Sequence, residues 1–155
     1  MPPIMSLHRY WIYSNWMREY FDAGLEKEPQ DFTNLAKEKD PAKVIVAALT
    51  FFGTGSGIFM SYWYGSLYVV IEGWRQLGLS DSKIDPLLLS PNVRLLKKYR
   101  DGVFHFQRNY YDERFLNFIN SADSVQWVRK LHSELGKYFL REIPKVTPQK
   151  KQPGA

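Results

Sequence analysis

The chain has 155 residues, 45% of them hydrophobic and 16% aromatic, which is enough for one packed domain and excludes a disordered chain. It has no cysteine, so disulfide staples and thiolate metal sites are excluded, and a reducing, cytoplasmic setting fits. The net charge is +5, but Lys145, Lys150 and Lys151 lie in a proline-containing tail, so the body is nearly neutral and bulk charge alone does not argue for nucleic acid.

Residues 6 to about 28 are predicted as a long first helix. Leu7, Trp11, Ser14, Met17, Phe21 and Leu25 recur at helical spacing along one side, and Arg9, Arg18, Glu19 and Glu26 suit the wet side. Gly24 and Pro29 mark its end. No apolar run behind a basic head opens the chain, so no signal peptide is expected. Residues 30–39 are polar, with room for one helical turn.

Asp40-Pro41 is a cap-and-start signal for a short buried helix over 42–52. Val44, Ile45 and Val46 would equally suit a strand. Residues 44–71 contain no charge and are long enough to cross a bilayer, but Gly53, Gly55 and Gly57 interrupt them. Two buried elements separated by a turn are expected, and no membrane span. The Gly53–Gly57 run GTGSG matches neither G-x-G-x-x-G nor a P-loop, so it is predicted as a turn between helices.

Residues 57–77 form the predicted central helix. Met60, Tyr64, Leu67, Ile71 and Trp74 make one apolar stripe. Ser61, Gly65, Tyr68 and Glu72 make a second stripe of mostly small or polar residues, where another helix could approach closely. Glu72 is the lone acid of this run and needs a partner if buried; Arg100, His105 or a tyrosine could supply it.

After a loop over 78–85 and a short helical turn from Asp85-Pro86, Ser90-Pro91 opens another helix. Val93, Leu96 and Val103, with Leu95, Tyr99 and Phe106, give it a wide apolar face that places Phe106 in the core. Residues 113–120 add a short helix. Ser121 or Asp123 caps a last long helix with Val125, Val128, His132, Leu135 and Phe139 inward, and Pro144 is expected to stop it. The whole reads as an all-α, up-and-down bundle of about four long helices, with one domain over 1–144 and a flexible basic tail over 145–155.

The chemistry-bearing candidates lie between Ser90 and Tyr111. Arg94 to Arg114 holds six basic and three acidic residues. Arginine stays charged and can grip a phosphate with two bonds, and histidine can move a proton near neutral pH. Arg100 and His105 therefore suit metal-free cleavage of RNA. At about 100° per residue they lie roughly 140° apart around a helix, so a second subunit would have to close the site. Arg100 paired with Glu72 or Asp101, and His105 buried at a helix end, is the plain structural alternative. Lys97 and Arg108 could contact an RNA backbone, and Tyr110 and Tyr111 could stack bases. His8 is expected at the surface and His132 in the core or at its boundary. No metal-ligand spacing or cofactor motif is present.

The segment Arg100-Asp101-Gly102-Val103-Phe104-His105 resembles the motif of the HEPN superfamily: an arginine, a polar residue and, after three or more others, a histidine. The resemblance implies an all-α HEPN-like bundle of about this size, with the motif on a late helix before the closing one. It also implies a metal-independent endoribonuclease acting as a homodimer, with many such proteins serving as toxins or defence effectors under an antitoxin partner. By that match Arg100 would hold the phosphate, Asp101 would orient the pair and His105 would handle the proton. Glu72, from its own position and outside the motif, is a candidate supporting residue. Gln107 stands where many toxin members carry a tyrosine modified by the antitoxin, so that regulation does not transfer. The superfamily also has non-catalytic members, and a helical dimerisation or interaction module is the alternative.

Overall fold

The computed structural model describes residues 1–27, 40–109 and 112–146. Its helices, in order, are α1 (Pro3–Lys27), α2 (Pro41–Gly53), α3 (Gly55–Gln76), α4 (Asp85–Leu88), α5 (Asn92–Phe104), α6 (Glu113–Ile119) and α7 (Ser124–Val146). Among the described residues there is no strand. The fold is an all-α bundle.

The long helices alternate in direction. Leu7 of α1 packs at Gly73 of α3 and Gly24 at Ser56, so the two run antiparallel. In α5, Arg100 meets Glu72 of α3 while the later Phe104 packs at the earlier Gly65, so α5 runs against α3. In α7, Phe139 meets His8 and Trp11 while Arg129 meets Asp22, so α7 runs antiparallel to α1.

The core is built on α3. Its predicted stripe, Met60, Tyr64, Leu67, Ile71 and Trp74, is buried throughout. Trp63 packs on Phe21 of α1, and Tyr64 packs edge-on to Tyr99 of α5 and Phe118 of α6. The second stripe receives α5: Ser61 shares a hydrogen bond with the Tyr99 hydroxyl, and Glu72 meets Arg100. Gly65 sits there because a Cβ would lie 2.7 Å from the Phe104 ring.

Residues 42–52 are helical, not a strand. Asp40 accepts from the Ala42 N–H at 3.0 Å, and Pro41 takes the first helical position. This local start signal overrides the β-branched run. A single residue, Thr54, then separates α2 from α3. Its hydroxyl donates to the Phe51 carbonyl and accepts from the Gly57 N–H, so it closes one helix and caps the next. A side chain at Gly57 would collide with the Phe51 carbonyl and the Phe52 Cα. The tight turn thus depends on Gly57, whereas Gly53 and Gly55 beside it have room for a side chain. The turn also divides the uncharged stretch, and no helix among the described residues is long and apolar enough to cross a membrane.

Several expectations change. The helix over 42–52 is not buried throughout: Phe51 is buried, but Val46 is 62% exposed. The last helix runs through Pro144 to Val146 rather than stopping before it. The proline removes one N–H, whose acceptor would be the carbonyl of exposed Leu140, and water can replace that bond. His8 is half-buried between Trp11 and Phe139 rather than at the surface, and burial lowers its pKa. Pro91, expected at the first helical position, is instead the N-cap of α5, and Ser90, expected as the cap, lies one residue ahead and accepts from the Asn92 N–H. The helical turn expected within 30–39, and the tail beyond 146, lie outside the described residues.

Candidate functional site

The C-terminal half of α5 packs across α3 and ends abruptly. Lys97, Arg100 and Asp101 sit on its last two turns, and His105 leaves the helix in an extended conformation (φ −125°, ψ 135°). Two bonds hold that exit. The His105 N–H donates to the Asp101 carbonyl at 3.2 Å, and the Gln107 amide donates to the His105 carbonyl at 2.7 Å. Gln107 thus occupies part of the helix end, where carbonyls lack intrahelical donors.

Arg100 is firmly placed. Its two terminal nitrogens donate to Glu72 Oε2 and Asp101 Oδ1, each at 2.8 Å, and the guanidinium lies 5.7 Å from the centroid of the Tyr68 ring. Lys97 donates to the other oxygen of Asp101 at 2.9 Å. Burial alone would raise the Asp101 pKa, but the bonds from Lys97 and Arg100 outweigh it and hold the carboxyl below its usual range. Glu72 therefore has the partner that its position demanded, and that partner is Arg100. The two cations and two carboxylates balance locally.

His105 faces elsewhere. Its side chain is exposed and borders a cavity of about 420 Å³, whose walls include Phe52, Tyr62, Phe104, Phe115 and Ile58. Arg100 does not line that cavity. Five positions separate the two residues, and the helix ends between them at Phe104. Phe104 packs on Gly65 and Tyr62 of α3, and no hydrogen bond joins Arg100 to His105 among the described residues. One copy of the chain thus holds the cation and the imidazole on one seam without bringing them together.

The other candidates divide. Arg108 is exposed, and Tyr110 and Tyr111 lie outside the described residues. Phe106 is 91% exposed and not in the core. The helix ends two residues before it, so helical periodicity no longer dictates where its ring points. Tyr99 is fully buried, and burial pushes its hydroxyl pKa up. The cavity walls from α2, α3 and α6 escaped sequence reasoning because they are far apart in the chain. Only Tyr62, an aromatic residue off the core stripe of α3, hinted at them.

A second polar centre joins α1, α3 and α7. His132 is buried, and its Nδ1 accepts from the Trp63 indole N–H at 3.1 Å. An indole nitrogen only donates, so the proton of the neutral ring sits on Nε2 and is donated to Asn15 Oδ1, 3.1 Å away. Burial, together with nearby Arg18 and Arg129 and against the opposing pull of Asp22, lowers its pKa to about 3. Asp22 in turn accepts from both Arg18 and Arg129 at 2.7 Å. His132 was expected in the core, but its link to two arginines of different helices had no sequence signal.

Among the described residues, no group of three or more histidine, aspartate or glutamate side chains could hold a metal ion. No family model, no curated protein and no solved structure matches the chain. The resemblance of the Arg100–His105 segment therefore rests on its own six residues and on their place in the bundle.

Proposed function

We propose that the chain is a metal-independent endoribonuclease of HEPN type whose site is completed by a second copy of itself. The observation that supports this most is the placement of His105: an exposed imidazole at the end of α5, beside an aromatic-walled cavity and one and a half turns from a fixed guanidinium. Cleavage by the 2′-hydroxyl needs a base for its proton, an acid for the leaving oxygen and a cation for the phosphorane charge. A two-fold dimer across this seam would provide two imidazoles and two guanidiniums. One His105 would take the proton, its mate would return one, and Arg100 would hold a non-bridging oxygen with the N–H groups that Glu72 and Asp101 leave over. Asp101 would position Arg100. Lys97 and Arg108 would hold the flanking backbone. A role as toxin or defence effector under a protein partner would follow from that activity.

The ion pairs of Arg100 favour a second reading. A guanidinium tied to Glu72 and Asp101 serves equally as a strut between α5 and α3 in a non-catalytic interaction module of the same fold. Incubation of varied RNAs with the purified protein in EDTA separates the two. The ribonuclease reading expects cleavage that falls about 10²-fold or more in His105→Ala, within the usual range for a positioned acid or base. Equal inertness of wild type and His105→Ala leaves the interaction module.

A further inference from the structure

We infer that the groove between α1 and α7, on the face that carries Arg18, Arg129 and Lys137, is a binding site for a small dianionic phosphomonoester. The inference is independent of the ribonuclease reading and concerns a different part of the bundle. The groove holds a cavity of about 360 Å³. Its wall carries three cations, Arg18, Arg129 and Lys137, with the polar groups of Asn15, Ser133 and His132. No carboxylate lines it among the described residues. The acids that pair with these cations, Asp22, Glu19 and Glu134, all stand outside the wall.

The arginines are held in advance. Asp22 accepts from both, one oxygen facing each at 2.7 Å. Arg129 also lies over the Trp63 ring, 5.3 Å from its centroid. Asn15 Oδ1 accepts from Nε and Nη2 of Arg18, and its position is set by the buried His132. These bonds use three of the five N–H donors of Arg18 and two of those of Arg129. Lys137 uses one of its three on Glu134. Donors remain on all three cations. Planar guanidiniums whose rotamers are already fixed lose little freedom when they grip an oxyanion. A phosphomonoester carries about −1.5 to −2 charge at pH 7 and three acceptor oxygens, which suits three cations on the wall of one cavity better than a monoanionic diester does. A recess of this volume also suits a compact ligand, whereas a polynucleotide backbone would need a basic stripe.

The test uses the full chain and three probes: inorganic phosphate, adenosine 5′-monophosphate and a short 2′-O-methyl RNA, uncleavable through its 2′-oxygen, without terminal phosphates. Amide spectra recorded during titration should show saturable shifts at Ser133 and Gly136 with phosphate and with the nucleotide, and none with the RNA. Ser133→Asp puts a carboxylate into the wall from an exposed helix position, and it should weaken binding at least tenfold while leaving the rest of the spectrum in place. Lys137→Gln should weaken it severalfold, and His105→Ala should bind as wild type does. Absence of saturable shifts with phosphate and nucleotide overturns the inference. So does a Ser133→Asp protein that binds as tightly as wild type, or binding by the RNA alone.

Discussion

Acidification should destabilise this protein through His132 before any carboxylate matters. The ring is locked as the Nε2-protonated neutral form, because Nδ1 faces the indole N–H of Trp63. A second proton would set two donors against each other inside the core. The folded pKa is lowered to about 3, whereas the unfolded chain has the ordinary value of 6.5. Well above pH 6.5 neither state binds the proton and stability is unaffected. Below it the unfolded state binds a proton that the folded state refuses, so stability falls with pH, at up to about 1.4 kcal/mol per unit, until about pH 3. Between pH 7 and pH 5 the loss from this one group is about 2 kcal/mol. Half-buried His8 is lowered too and acts in the same direction. The carboxylates held below their usual range, Asp81, Asp101 and Glu142, lose their contribution mainly below pH 5, outside this window. Urea unfolding at pH 7 and pH 5 measures the effect against His132→Gln, whose amide can accept from Trp63 and donate to Asn15 but does not titrate. Wild type should lose about 2 kcal/mol more than the variant across that interval. An equal loss in both proteins would refute the reasoning.

Other consequences follow from particular contacts. Gly57→Ala should destabilise the chain by about 1–3 kcal/mol or more in urea unfolding, because the added methyl meets Phe51 and Phe52 backbone, which cannot swing aside. A loss within about 0.5 kcal/mol would mean that the α2–α3 turn is looser than described. Glu72→Gln should cost only about 1 kcal/mol, since the Arg100–Glu72 side chains are 24% and 33% exposed; a loss above about 3 kcal/mol would mark the pair as truly buried. Phe118→Ala, at a fully buried ring between Tyr64, Tyr99 and Trp127, should cost about 3–5 kcal/mol, and circular dichroism melts would register it as a large fall in Tm.

The sequence by itself determined the long helices and their inward faces, though it left residues 42–52 open between helix and strand. Apolar residues at three and four spacing on α1, α3 and α7, with Asp-Pro, Ser-Pro and glycine at the ends, are local signals, and local physics is enough to read them. It also paired the small-residue stripe of α3 with an approaching helix, and the lone Glu72 with a short list that included Arg100. Only the tertiary structure decided which way the α5 end turns. Helical periodicity put Phe106 inside, but the chain leaves the helix at His105, and beyond that point the spacing carries no direction. Likewise, nothing near Arg18 in the chain announces Arg129, 111 positions later. Their meeting over Asp22 depends on how α1 and α7 cross, which is set by the fit of whole faces and not by any residue's neighbours in sequence.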